Sequence, residues 1–524
     1  MLGLRCRDPL FQPFLPQSIQ SLNHLEEALP ECMRWENIHA LVGSLCSNSL
    51  VARVRNAHDC LEAIRFAQRN GLSICPKGGG YSYGDAILNS ENVLLDTSQM
   101  NRIVGLDVTS AQVIVEPGVQ LIDIQKLGLP HKLVLASVPS EPTITIAGAA
   151  AANVNGKDGW RVGNFGDQII RFKLMTASGN IISASRTENA DVFYSAIGGM
   201  GLLGVMVELT LQLKPIPSLF VHVSRHPAPN LSALMAKLRA VKQHSDHAVV
   251  WLDSVARGSK FGRGVIHSTR WRAESDDKNL ERAIRRCMQR LDSRRAHAAT
   301  LAPLVGVIVS LMMNFQTLSV GLFNKLYYRY CELRTRLGTA DNDESIIRYS
   351  FDASFMIPSA SAVCGPYGYT MQLTVPDTDA VDAITEMLKV CQRSPCYPAK
   401  LIMRLHRQDQ HLVSFCEDGY SLNFEFHPKK RQMLRMKQFA DELIEIAIAH
   451  GGKVHLAKDH ILTRNQFQRL YPRYGELREI KRRLDPGELF QSDIYKRLMR
   501  DERASAADPG QAEHSKEMSQ SASA

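Results

Sequence analysis

The stretch Pro76-Lys77-Gly78-Gly79-Gly80-Tyr81-Ser82-Tyr83-Gly84-Asp85 gathers more potential chemistry than any other part of the chain. Consecutive glycines let a backbone take positive φ and approach a ligand closely. Successive amide N–H groups in such a turn form an anion-binding nest, suited to a pyrophosphate. Ser82, Tyr83 and Asp85 add hydroxyl and carboxylate groups at the same place. A plain structural loop would use the same residues, so the later segments decide.

Val138 to Asn153 contains a run of tiny residues at 147–151, followed by Asn155, Gly156 and Lys157. Almost no side chain there separates the backbone from whatever lies over it. Close approach of a flat, extended ligand is one reading; tight helix packing is the other. Gly163-Asn164-Phe165-Gly166-Asp167 forms a third segment, and a G-x-G-x-x-G pattern at 199, 201 and 204 a fourth. A dinucleotide site of the Rossmann kind needs a strand before that pattern and a helix after it. Here a helix-like run (Ala190 to Ile197) precedes it and a strand-like run (Val205 to Leu213) follows, which rules that site out.

The elements that must position these groups follow from periodicity. A helix is predicted at Cys60–Asn70 before the glycine turn, and a strand at Asn92–Asp96 after it. Residues 1–48 read as an N-terminal extension, with helical periodicity at Ser18–Leu29. Residues 49–215 alternate short β-rich runs, such as Gln112–Val115 and Ile181–Ser183, with turns and helices, as in an α+β domain. Residues 216–430 form a second α+β domain with strands at Ser218–Val223, Ala248–Leu252, Tyr369–Val375 and Ser421–Phe426. Residues 431–500 are helical and return to the edge of the site; 501–524 read as a disordered tail.

Bulk properties narrow the class. A chain of 524 residues exceeds one ordinary core. Its 44% hydrophobic and 22% charged content are those of a soluble globular protein. The net charge of +9 favours an anionic substrate or an acidic membrane face, and is too small and too spread to indicate nucleic acid. Eleven scattered cysteines without CxxC pairs predict reduced thiols in a cytoplasmic protein and no metal site. The N-terminus lacks the apolar stretch of a signal peptide. Leu301–Met313 is shorter than the ~20 residues of a membrane span and is broken by Pro303 and Gly306. With the arginines at 282–295 ahead of it, it could rest on an anionic bilayer; a buried helix beside a solvated basic one is the plainer reading.

In chain order, the glycine turn with Ser-Tyr-Gly, Val115-Glu116-Pro117-Gly118, the small-residue run and Gly-Gly-x-Gly-x-x-Gly before a strand resemble the FAD-binding domain of the vanillyl-alcohol-oxidase superfamily, the PCMH type. That resemblance covers about 50–215. Val454-His455-Leu456-Ala457-Lys458-Asp459, Tyr471-Pro472-Arg473, Leu484-Asp485-Pro486 and Phe490-Gln491-Ser492-Asp493 are similar to the end of the decaprenylphosphoryl-ribose oxidases. The strand Gly368–Gln372 and the helix Phe323–Tyr330 resemble that family too. Aldonolactone oxidases share the flavin domain and a His-x-x-Lys element like His455–Lys458.

The resemblance implies an α+β fold: a two-subdomain FAD-binding domain joined to an α+β substrate, or cap, domain. It implies an FAD-dependent oxidoreductase that turns a secondary alcohol of a sugar or polyprenyl-phospho-sugar into a ketone by hydride transfer to flavin N5. A D-arabinono-1,4-lactone-type oxidase is the alternative enzyme, and a non-catalytic flavin-binding or membrane-associated subunit the alternative of another class. Cofactor contacts are implied at Gly78, Gly79, Gly80, Tyr81, Ser82, Pro139, Gly148, Ala149, Ala151, Asn155, Gly156, Gly163, Gly204 and Val205. Lys458 is implied over flavin and substrate, where a cation stabilises the arriving charge, although a surface lysine near a helix start is the plain alternative. Tyr83 and Gln372 carry over as pocket groups. Arg404 could meet a substrate phosphate bidentately, or be a solvated strand-end arginine. The family also implies a partner reductase and a lipid-linked substrate; the cysteine pattern points to a cytoplasmic location, and the 282–313 stretch leaves peripheral contact with the inner membrane face open.

Three departures matter. Tyr81 stands where relatives with covalent flavin carry histidine, which predicts noncovalent FAD. Asn155 replaces a histidine of the ribose oxidases, and an amide cannot serve as a general base. Asn423 replaces the pocket cysteine of those oxidases, which argues for a changed substrate.

Overall fold

The computed structural model describes residues 32–41, 45–273, 281–285, 316–351, 368–394, 397–428 and 430–500. The periodicity at Ser18–Leu29, the run Leu301–Met313 and the tail at 501–524 lie outside the described residues.

Three sheets carry the chain. The first joins β1 (Met33–His39), β2 (Cys46–Arg53), β3 (Ile74–Lys77) and β4 (Val93–Asp96) in the order β1-β2-β4-β3. β2 and β3 both run parallel to β4, so a crossover must join them, and the helix Ala57–Arg69 supplies it. That helix buries Cys60, Ala63, Ile64, Phe66 and Ala67 along one stripe. It begins ahead of the expected Cys60 because the Asn56 side chain accepts from Asp59 N and caps it. β1 comes from within the expected N-terminal extension and adds an antiparallel edge to β2. Cys46 is disulfide-bonded, against the expectation of thiols throughout.

The second sheet is antiparallel: β5 (Ile103–Asp107), β6 (Gln112–Val115), β8 (Ile169–Met175), β9 (Ile181–Ser185) and β10 (Val205–Pro215), in the order β5-β6-β10-β8-β9, with β7 (Leu133–Leu135) also on β10. Gly204, just ahead of the central β10, has φ +148, and a Cβ there would stand 2.4 Å from the Met175 carbonyl oxygen. Only glycine lets this strand start where it does.

The third sheet has eight strands: β11 (Phe220–Ala228), β12 (His247–Leu252), β13 (Gly264–Trp271), β14 (Asn342–Ser345), β15 (Tyr369–Pro376), β16 (Lys400–His406), β17 (Gly419–Phe426) and β18 (Lys453–Val454). Their order is β14-β11-β13-β12-β16-β17-β15-β18. Side chains of a strand alternate between faces. One face sends Met371, Leu373, Leu401, Met403, Leu422 and Phe424 into the core, under the helices Ala380–Arg393 and Met433–Ala449. The other face carries Trp251, Ile402, Asn423 and Gln372, which the register sets opposite one another across β12, β16, β17 and β15. Trp251, Ile402 and Asn423 of that row line the site; Gln372, expected as a pocket group, does not, and reaches it through its bonds to Lys458 and Asn155.

The C-terminal segment ties the sheets together. Lys481, 2% exposed, donates to Asp485 Oδ2 and the Phe490 carbonyl at 2.7 Å each, and to the Leu202 carbonyl at 3.1 Å. An ion pair this deep is costly to break from one side, about 3–5 kcal/mol. Among the described residues no helix is long and apolar enough to cross a membrane.

Candidate active site

β3 ends at Lys77, whose Nζ lies 2.9 Å from Asp96 Oδ2 on β4, and the chain then turns along the wall of a cleft of about 340 Å³. Among Gly78, Gly79 and Gly80, only Gly80 has a left-handed φ, +77. Gly78 is needed for a different reason: a Cβ there would lie 2.2 Å from Thr145 Oγ1. The glycine turn thus rests directly on the start of the helix Ile146–Ala151, and Gly79 N donates to Thr145 Oγ1 at 3.3 Å.

That helix meets both readings of its tiny residues. Ala149 and Ala150 are fully buried in the core, while Ala147, Gly148 and Ala151 line the cleft. Tyr81, Ser82, Pro139, Gly204 and Val205 are also on the wall. Three expected cofactor contacts are not. Ala149 faces the packed side of its helix; Gly156 sits against Ser137 and Asp158; Gly163, at φ +81, has room only for a hydrogen beside Asp167.

Asn155 reaches the cleft from the same side. Its Oδ1 accepts from Gln372 Nε2 at 3.4 Å, while its buried Nδ2 has no partner among the described residues. A buried amide donor left unpaired costs about 1–3 kcal/mol, so this atom suits a ligand acceptor. Arg404 lines the cleft and donates Nη1 to the Asn155 and Gly156 carbonyls at 2.9 and 3.4 Å. Part of its guanidinium is therefore committed to backbone.

The sheet supplies the facing wall. Lys458, in a short turn after β18, donates Nζ to Asn423 Oδ1 at 2.7 Å and to Gln372 Oε1 at 2.8 Å. Gln372 also donates Nε2 to Ser421 Oγ at 3.0 Å, and its carbonyl accepts from His455 N at 2.9 Å. Lys458 Nζ stands 5.7 Å from the centre of the Tyr83 ring. Burial, and then the Arg404 guanidinium, pull the Lys458 ammonium down to about 7, against an opposing pull from Glu425. The histidines nearby are driven lower: burial takes His406 and His267 down to about 3 each. Both are neutral across the physiological range, whereas Lys458 is held near neutrality.

Asn423 Nδ2 donates to Glu425 Oε1 at 3.3 Å, and Lys400 Nζ is 3.4 Å from the same oxygen. Sequence reasoning missed Lys400, Glu425, Ile402 and Trp251, which all line the cleft. The signal was present as period-two alternation: Lys400-x-Ile402-x-Arg404 and Ser421-x-Asn423-x-Glu425 each place a set on one face.

These residues fit FAD. The glycine turn would hold the pyrophosphate, the bare face of Ala147, Gly148 and Ala151 leaves space for an extended ligand, and the orphaned Asn155 Nδ2 offers a donor. Among the described residues no cluster could hold a metal ion.

Comparison with known proteins agrees. Residues 49–185 match the family model of the FAD binding domain, and residues 367–498 that of D-arabinono-1,4-lactone oxidase. The chain is 26% identical to decaprenylphosphoryl-beta-D-ribose oxidase of Mycolicibacterium smegmatis, over 83% of this chain and 91% of that protein. It is 23% identical to L-gulonolactone oxidase of Mus musculus, over 86% and 96%. To (R)-6-hydroxynicotine oxidase of Paenarthrobacter nicotinovorans it is 30% identical, over 38% and 44%.

Proposed function

We propose that this chain, which belongs to the PCMH-type FAD-dependent oxidoreductases acting on CH–OH groups, oxidises a secondary alcohol of a sugar or polyprenyl-phospho-sugar to a ketone. The observation that carries the reading is the Lys458 amine, fixed by Gln372 and Asn423 on the wall facing the glycine turn. The chemistry that noncovalently bound FAD supplies is acceptance of the carbinol hydride.

The chain's own part is the proton. With an affinity near pH 7, Lys458 is largely neutral just above neutrality. A neutral amine has two N–H bonds and one lone pair. Gln372 Oε1 and Asn423 Oδ1 take the two N–H bonds, so the lone pair is left for the substrate hydroxyl. Uptake of that proton on Nζ creates a cation as the negative charge arrives beside it, so base and electrostatic roles fall to one atom. Tyr83 closes the pocket beside the amine, and Arg404 positions Asn155 through its carbonyl. A cytoplasmic location at the inner membrane face, and a partner reductase that consumes the ketone, belong to the same proposal.

The match of residues 367–498 to D-arabinono-1,4-lactone oxidase favours a second reading, oxidation of a free aldonolactone. Anaerobic mixing of the yellow protein with each substrate class separates the two. Bleaching by phospho-sugar lipids and not by free 1,4-lactones supports the first. Bleaching by lactones moves the assignment to the second, and a flavin that no alcohol bleaches marks a non-catalytic subunit.

A further inference from the structure

The helix Gln316–Arg336 packs one face over the third sheet, and among the described residues nothing covers the other. Inward, Asn324 Nδ2 donates to Asp253 Oδ1 at 2.8 Å, and Tyr327 meets Trp251 edge-on with ring centres 4.9 Å apart. Outward, Leu322, Leu326, Tyr330, Leu333 and Leu337 are 58, 61, 53, 56 and 65% exposed. Their spacing keeps them on one stripe of a helix, and the bond from Leu337 N to the Leu333 carbonyl, 2.9 Å, carries the turn through the last of them. Single exposed leucines are ordinary; a continuous stripe marks a contact surface. Cations rim it, with Lys325, Arg329 and Arg336 on one side and Arg334 on the other. The acid among them, Glu332, pairs with Arg329 at 2.8 Å and Arg336 at 3.2 Å, so the rim stays net positive.

We infer that this stripe seats the protein on an anionic lipid surface, with the leucines in the acyl boundary and the cations at the headgroups. Charge complementarity selects this occupant. Two copies paired through the stripe would set cationic rims side by side, whereas acidic headgroups neutralise them. The inner face gives the seat a purpose: the Tyr327 hydroxyl lies 3.0 Å from His267 Nε2, and His267 and Trp251 line the cleft. The catalytic cleft is thus one layer of side chains from the lipid. The seat itself stands on the stripe and its rims; only its purpose rests on the lipid-linked substrate proposed above.

The test is sedimentation of the full-length holoprotein with vesicles that contain no substrate, either phosphatidylcholine alone or equal parts phosphatidylglycerol and phosphatidylcholine. Binding to the anionic vesicles is expected, with at least a ~10-fold loss at about 1 M salt, where the Debye length is ~3 Å. The double variant Leu326→Glu, Leu333→Glu should lose at least ~10-fold at low salt while keeping its flavin and its rate with a soluble alcohol. Wild type that ignores anionic vesicles, or a variant that binds as well as wild type, overturns the inference. So does a wild-type dimer that the variant turns into a monomer, which would assign the stripe to a second copy. A polarity-sensitive dye on Leu326→Cys that already reports an apolar setting before vesicles are added would assign it to the chain's own residues. Intact vesicle binding with no turnover of lipid-linked sugars would remove the substrate reading and leave this one standing.

Discussion

A methyl group on Gly84 would stand 1.7 Å from the carbonyl oxygen of Asp459, next in the chain after Lys458. The contact joins the glycine turn to the segment that carries the amine. Two bonds flank it: Tyr83 N and Ser82 Oγ both donate to the Ala457 carbonyl, at 2.9 and 3.1 Å. Gly84→Ala must push the two segments apart. A loss of about 1–3 kcal/mol in urea unfolding is expected, with slower flavin reduction because Lys458 moves with Asp459. An unchanged midpoint and rate would show that the two segments are not mechanically joined.

Arg497 fastens the same junction with charge. Its guanidinium reaches Asp85 at 2.8 and 2.9 Å and Asp459 at 3.0 Å, and it donates to the Leu462 carbonyl at 2.6 Å. Arg497→Met leaves two mostly buried carboxylates without their cation, at an expected cost of about 3–5 kcal/mol. Arg497→Lys should recover less than half of that, since an ammonium cannot make the forked contacts. Full recovery by lysine would mean that charge alone, and not geometry, holds the junction.

Much of this site was legible in the sequence, for reasons of local chemistry. The glycine turn and the reversed G-x-G-x-x-G announce themselves because glycine at those positions answers a local backbone or contact demand, as at Gly80 and Gly204. Short strands such as Gln112–Val115 follow from period and composition alone. The row Trp251, Ile402, Asn423 and Gln372 did not, because it exists only once four separate segments pair in one register. The phase of the tiny-residue helix was hidden too: which alanines face the core and which the cleft is a packing outcome, and Ala149 fell on the core side. The lowered affinity of Lys458 arises from burial and from Arg404, distant in sequence, so no local pattern foretells it.

The flavin should leave the protein on acid precipitation. Tyr81 has no imidazole nitrogen to alkylate, and its hydroxyl is already bonded to Thr143 Oγ1, which donates to Glu141 Oε1 at 2.5 Å. Yellow colour in the supernatant is the expected outcome; colour in the pellet would refute noncovalent attachment. Retention should depend on the turn itself. Gly80→Val places a β-branched residue at φ +77, so the variant is expected to purify without cofactor while the far-ultraviolet dichroism stays that of the wild type. A valine variant that keeps stoichiometric FAD would show that the turn does not cradle it.

The role of Lys458 can be decided by pH and by one conservative substitution. Its proton affinity lies near pH 7, so the neutral fraction grows as pH rises through that value. A base acts in its neutral form. The rate of flavin reduction should therefore climb about tenfold per unit below pH 7 and level off above it. An ammonium acting only by its charge gives the opposite slope, falling as pH passes 7. Lys458→Ala should slow reduction at least ~100-fold and flatten the profile, with FAD still bound. Lys458→Arg keeps the charge at every accessible pH but cannot accept a proton. If proton uptake is what Lys458 provides, arginine should be nearly as slow as alanine. Rescue by arginine to within a few-fold of wild type would leave charge stabilisation as the whole of its role, and the hydroxyl proton would have to leave by another group.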